Sequence, residues 1–174
     1  MTGLGLVIYD CSIRRRWMQQ RDAEFDLFEP LAFLKHCHSL GAGGMQAKVG
    51  QLDATGIKQV RNFAERHSMF IDAIVAPPTD KAESARFEKE IRTSAEVGVQ
   101  AVRTVIMPGR RYERFSSLEE FREFERRGRR KVELAAPIVE KHRIPLAIEN
   151  HNDQRNNERV ALFEYEDKHG FSKP

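Results

Sequence analysis

The segment Glu149-Asn150-His151-Asn152-Asp153 sets two carboxylates, an imidazole and two amides side by side, directly behind the apolar run Leu146-Ala147-Ile148. A carboxylate can take a proton from carbon, an imidazole can carry one, and amides can orient both, so the cluster has the parts for acid–base chemistry. Its position adds to that, because α/β folds collect functional side chains at the C-terminal ends of their strands. The same residues also suit a strand that exits into a solvated turn, where Asn and Asp are common. Asp10, Lys48, Arg110 and Glu149 each lie close behind an apolar run, and Gln46 lies near the end of another. Arg110, Arg111 and Arg155 add guanidinium forks that match phosphate oxygens, although arginines on loops are often only solvated.

The elements that must position these residues alternate along the chain. Apolar runs predict strands at 4–9, 44–49, 69–76, 101–107 and 145–148. Between them, Glu29-Pro30 opens a helix with Leu31, Leu34 and Leu40 on one face, closed by Gly41. Asp53 caps a second helix that carries Ile57, Val60, Phe63 and Ala64. A third spans 79–97, with Asp80 and Glu83 at its start and Gly98 as its stop. Ser116-Ser117 with Glu119-Glu120 predict two overlapping capping boxes for a long helix reaching about Lys141, and Asn156 caps a last one. A polar, Arg-rich stretch precedes Glu29.

Composition bounds what such a chain can be. At 174 residues and 40% apolar content it suits a single domain over 1–174, burying about 70% of its unfolded surface. The net charge of +3 comes from evenly mixed signs, as in the long helix, where Arg126, Arg127, Arg129, Arg130 and Lys131 alternate with Glu123, Glu125 and Glu133. That mixture is an ordinary helix surface, and no nucleic-acid partner is expected. Cys11 and Cys37 share no metal or redox spacing, no apolar run approaches about 20 residues, and Arg14-Arg15-Arg16 is not followed by a leader's apolar core. No membrane partner is expected, and a reducing, cytoplasmic setting is.

Five strands separated by helices demand parallel pairing through right-handed crossovers, in a doubly wound sheet or a (β/α) barrel. No strand is followed by a dinucleotide-binding glycine pattern, and polar residues recur at strand ends, which favours the barrel. The expected class is α/β, a partial (β/α) TIM-type barrel with about five of the usual eight units. Four pieces in order carry a family resemblance: Leu40-Gly41-Ala42-Gly43-Gly44-Met45-Gln46, Arg103-Thr104, Gly109-Arg110-Arg111-Tyr112-Glu113, and Leu146-Ala147-Ile148-Glu149-Asn150-His151. Together they resemble the sugar phosphate isomerase/epimerase family with the xylose isomerase-like TIM barrel.

That resemblance implies a divalent-metal enzyme (Mn, Mg, Co or Zn) that moves a proton next to the carbonyl of a sugar or sugar phosphate. It implies a glutamate after the fifth strand and another after the eighth as ligands and proton movers, with an aspartate and a histidine between. Glu149 maps onto the first, as metal ligand and catalytic base. Gln46, Arg110, Arg111, Asn150, His151 and Arg155 are the expected substrate contacts, Asn150 and His151 through orienting hydrogen bonds. The other ligands have no counterpart. The chain is therefore expected to be truncated, a fragment or a frame-shifted product, with metal binding weak or absent. The alternative is a non-catalytic remnant that binds a sugar phosphate or a protein. A relative of the metal-dependent AP endonucleases, which share this barrel, is a lesser alternative because these strand ends lack the histidine-rich metal cluster. An unfinished barrel would also expose a strand edge to a second copy.

Overall fold

The computed structural model describes residues 3–150 and 154–168. Strands β1 (Gly5–Val7), β2 (Gly44–Ala47), β3 (Phe70–Ile74), β4 (Val102–Thr104) and β5 (Leu146–Ile148) form one parallel sheet in sequence order, with β1 and β5 at its edges. The helices are α1 (Ser12–Gln19), α2 (Pro30–Ser39), α3 (Ala54–Arg66), α4 (Ser84–Val97), α5 (Arg111–Arg114), α6 (Leu118–His142) and α7 (Asn156–Lys168). This is the α/β strand–helix alternation of a partial barrel that the apolar pattern predicts. Among the described residues no helix is long and apolar enough to cross a membrane.

Every helix that leads into a strand closes in one way. Its backbone turns into the left-handed region at Gly41 (φ 74°), Ser68 (φ 52°), Gly98 (φ 89°) and Arg143 (φ 53°), after α2, α3, α4 and α6. The next N–H then reaches back five residues, from Ala42 to Cys37, Met69 to Ala64, Val99 to Ser94 and Ile144 to Val139, at 2.9 to 3.2 Å. These are Schellman turns, which satisfy otherwise orphaned carbonyls and aim the chain back along the sheet. Glycine is the usual residue there, and it marks only α2 and α4 in the sequence.

Helix starts use side-chain acceptors. Both oxygens of Glu29 accept from Leu31 and Ala32 N–H, and Asp53 accepts from Gly56 N–H. At α6 one capping box forms instead of two. Ser117 accepts from Glu120 N–H, and the Glu120 carboxylate reaches back to the N–H of Ser116, the residue before the cap. The strands are shorter than the apolar runs, and other boundaries differ from the expected ones. The first strand stops at Val7, and a 3-10 turn (Ile8–Cys11) leads into α1. α1 buries no residue and is braced by Arg14 and Arg21 over the Trp17 ring. α4 begins at Ser84 because Thr79 donates twice to Glu83 while Glu83 N–H is taken by Asp80, closing a turn.

Two compact units are distinguished, Met1–Val75 with Glu90–Val102 and Ala76–Lys89 with Arg103–Pro174. In the first, α2 packs on β2 and α3, and Met45, Ala47, Ile71 and Ala73 are buried. The opposite face carries Gly5, Gly44 and Phe70 in one register row and Val7, Gln46 and Asp72 in the next. The Phe70 ring fills the space that side chains on Gly5 and Gly44 would need, since a Cβ on either would lie 2.5 Å from it. In the second unit Ile106, Met107, Phe121, Val132 and Leu162 form the core. Ile106 and Met107 lie beyond the end of β4 at Thr104, so that apolar run is part strand and part core loop.

Candidate functional site

In the second unit the ends of β4 and β5 are tied by one bond, from Glu149 N–H to the Thr104 carbonyl at 2.9 Å. It extends the ladder one residue past β5 and sets Glu149 beside β4. There the Arg103 guanidinium pairs with the Glu149 carboxylate, and the two side chains keep 19% and 31% of their surface exposed. A pair so placed is partly desolvated, which strengthens the attraction and holds both groups in fixed geometry. The Thr104 hydroxyl is buried and has no hydrogen-bond partner among the described residues.

Of the other expected contacts of this unit, Asn150, Arg110 and Arg111 have side-chain partners in the chain. Asn150 bonds Gln154 twice, its amide donating to the carbonyl at 3.3 Å and its oxygen accepting from the N–H at 3.4 Å. His151 lies outside the described residues. Arg110 sits in an exposed pair with Glu113 at 3.1 Å. Arg111 is more tightly engaged: its Nη1 donates to both oxygens of Glu158 at 2.8 and 2.7 Å, and its guanidinium lies 3.5 Å from the Phe121 ring centre. Arg155 is exposed, and its backbone N–H donates to Glu158 at 2.8 Å. Burial pushes the Glu158 carboxyl up, but the Arg155 N–H and the Arg111 guanidinium outweigh it and leave it below its ordinary value.

In the first unit Gln46 is half-buried and stands in register with Asp72, above the row that Phe70 fills. Burial raises the Asp72 carboxyl, and a hydrogen bond from the Ala101 backbone partly offsets that. Past the end of β2, the Lys48 ammonium lies 5.8 Å from the Tyr9 ring centre. Two polar residues missed as candidates are thus Asp72 and Arg103. The signal for Asp72 was present, a lone charge in Phe70-Ile71-Asp72-Ala73-Ile74 that a period of two puts on the less buried face.

Whether these residues suit a divalent ion can be judged from the donor set. Among the described residues no group of three or more His, Cys, Asp or Glu side chains gathers to hold one, and the carboxylate of Glu149 already faces a cation. A hard cation needs several oxygen or imidazole donors in one shell, so the described residues do not fit it.

Several sugar epimerases share the fold. A D-psicose 3-epimerase solved in the presence of D-fructose matches with a TM-score of 0.63 at 13% identity, over 93% of this chain and 59% of its own length. The D-psicose 3-epimerase of Clostridium cellulolyticum H10, solved with D-tagatose, gives 0.60 at 11% identity over 77% and 53%. The apo 3-keto-D-glucoside 4-epimerase of E. coli gives 0.60 at 13% identity over 80% and 60%. The chain therefore spans 53% to 60% of the length of these structures. No curated protein matches the sequence significantly. Residues 34–169 match the family described as the xylose isomerase-like TIM barrel, most of the 174-residue chain. By that match, and by its parallel strand–helix units, the chain belongs to the xylose isomerase-like TIM barrel family.

Proposed function

We propose that this chain binds a small sugar or sugar phosphate at its strand ends, with Glu149 as the proton-transfer base of a sugar isomerase or epimerase. The observation that carries the reading is the Arg103–Glu149 pair, a partly open carboxylate fixed at the end of β5. A carboxylate beside a carbon next to a carbonyl can take its proton and return it to the same or the other face, which is the shared step of isomerisation and epimerisation. A fixed guanidinium beside it suits the oxygen on which charge develops. Gln46, Arg110, Asn150, His151 and Arg155 remain the proposed substrate contacts. Arg111 joins them only if a ligand displaces Glu158. The family resemblance implies a divalent ion for the complete barrel, and in this chain we expect its binding to be weak or absent.

The absence of a ligand cluster among the described residues favours a second reading, sugar binding without turnover. Free Cys11 and Cys37 agree with work in a reducing cytoplasm, and the sheet edges at β1 and β5 are the proposed contacts for a second copy. The test is a panel of ketoses and aldoses in deuterated water, with calorimetry on the same samples. Deuterium entering next to the carbonyl, and lost in Glu149→Gln, supports the enzyme. Saturable binding without exchange supports the second reading. Absence of any saturable sugar binding refutes both.

A further inference from the structure

Of the arginines on β4 and in the segment that follows it, Arg103, Arg110 and Arg111 each have a carboxylate of their own chain against them. Arg103 faces Glu149, Arg110 faces Glu113 and Arg111 faces Glu158. A dianionic phosphate arriving here meets carboxylates beside every one of these guanidinium groups, and it can take an arginine only by displacing a partner tethered next to it. A neutral polyol meets no such competition. Each hydroxyl both donates and accepts, so adjacent hydroxyls can accept from a guanidinium and donate to a carboxylate while the ion pair stays intact.

The three pairs are not equally suited to this. Arg110–Glu113 is half exposed, at 52% and 55%, and is an ordinary solvated pair within one helical turn. Arg111–Glu158 is closed, because both carboxylate oxygens, the guanidinium face and the Arg155 N–H are all engaged. Arg103–Glu149 bridges neighbouring strands whose spacing is pinned by the Glu149 N–H, and it keeps part of its surface open. A guanidinium also carries more N–H donors than one carboxylate can accept from.

We propose that Arg103 and Glu149 form a metal-independent clamp for a vicinal diol of a neutral sugar, the guanidinium donating to one hydroxyl oxygen and the carboxylate accepting from the next. The clamp rests on the function proposed above and deepens it. It makes the substrate class an uncharged sugar, adds Arg103 as a binding residue, and gives Glu149 a resident cation that is a guanidinium.

The test is calorimetry and saturation-transfer NMR on the full chain with D-fructose and with D-fructose 6-phosphate, each in EDTA and each with Mn²⁺. D-fructose should bind with a Kd that EDTA changes by less than about twofold, and the phosphate should bind no more tightly. Arg103→Met should weaken D-fructose binding by about tenfold or more. Arg103→Lys keeps the charge but loses the fork, so it should weaken binding several-fold, and it decides the matter if the Met variant does not fold. Binding that collapses in EDTA and returns with Mn²⁺ overturns the clamp's independence of metal. A phosphate preference of about tenfold overturns the substrate class. Undiminished D-fructose binding in both Arg103 variants overturns the clamp alone. An unchanged chain that binds neither sugar overturns the clamp together with the reading on which it rests.

Discussion

Replacing Arg111 with Met keeps an aliphatic stem over Phe121 and removes the fork that holds Glu158. The lost contacts are the hydrogen bonds at 2.8 and 2.7 Å, between side chains only 20% and 21% exposed, and the guanidinium 3.5 Å above the ring. Hydrogen bonds to charged groups contribute about 1.5–3 kcal/mol and a cation–π contact about 0.5–1 kcal/mol. Met retains packing, and Glu158 keeps the Arg155 N–H, so the expected loss is about 2–3 kcal/mol. For a chain of this size that lowers Tm by about 4–12 °C. Circular dichroism melts of Arg111→Met, Glu158→Gln and the double variant should show a coupling of about 1–2 kcal/mol. The sign with pH follows from Glu158, whose folded pKa lies below its unfolded value. Its contribution is full above the ordinary glutamate range near about 4.3 and is lost as pH falls through the folded value, so wild type and Arg111→Met should converge in acid. A loss below about 0.5 kcal/mol, negligible coupling, or a gap that widens in acid would refute the view of Arg111 as the joint between α5, α6 and α7.

The row beneath Gln46 and Asp72 makes an asymmetric prediction. Gly5→Ala meets the tip of the Phe70 ring at 2.5 Å and the Gly44 carbonyl only at 3.2 Å, so Phe70→Leu should rescue most of its cost, whereas Gly44→Ala also lies 2.4 Å from the Phe70 carbonyl and should stay destabilised by about 1–3 kcal/mol; equal rescue in thermal melts would count against this row. Thr104→Val removes a buried hydroxyl with no partner among the described residues while keeping its shape. It should raise stability by about 1 kcal/mol, and a comparable loss in denaturant titration would show that the hydroxyl is satisfied. Ser68→Gly and Arg143→Gly, at φ 52° and 53°, should each stabilise by about 0.5–1 kcal/mol, and Gly98→Ala at φ 89° should do the reverse. Losses in both glycine variants would refute that account of the turns.

Most of the strand–helix order was legible because each buried strand is an apolar run and each of α2, α3 and α6 begins at a side chain that accepts backbone N–H. What periodicity could not supply was the partner of each charge. Arg103 alternates with Val102 and Thr104 in any reading of β4, but its pairing with Glu149 depends on the register of β5, which no local pattern encodes. Arg111 read as a fork open to phosphate because Glu158 comes from α7, far along the chain. α1 escaped notice because its side chains stack on each other and bury nothing. Ser68 and Arg143 carry no turn signal, since neither residue type announces a left-handed backbone.

The recurring turns have a consequence for synthesis on the ribosome. Each closes on hydrogen bonds that span only five residues, so α2, α3, α4 and α6 can be terminated and aimed as soon as the next two residues have emerged. At about 5–20 residues per second, elongation leaves ample time for such local closure, since helix formation takes microseconds or less. The direction of every later strand is thus set before that strand exists. Strand pairing then becomes a vectorial process, in which each new segment is delivered against the edge its predecessor has just exposed.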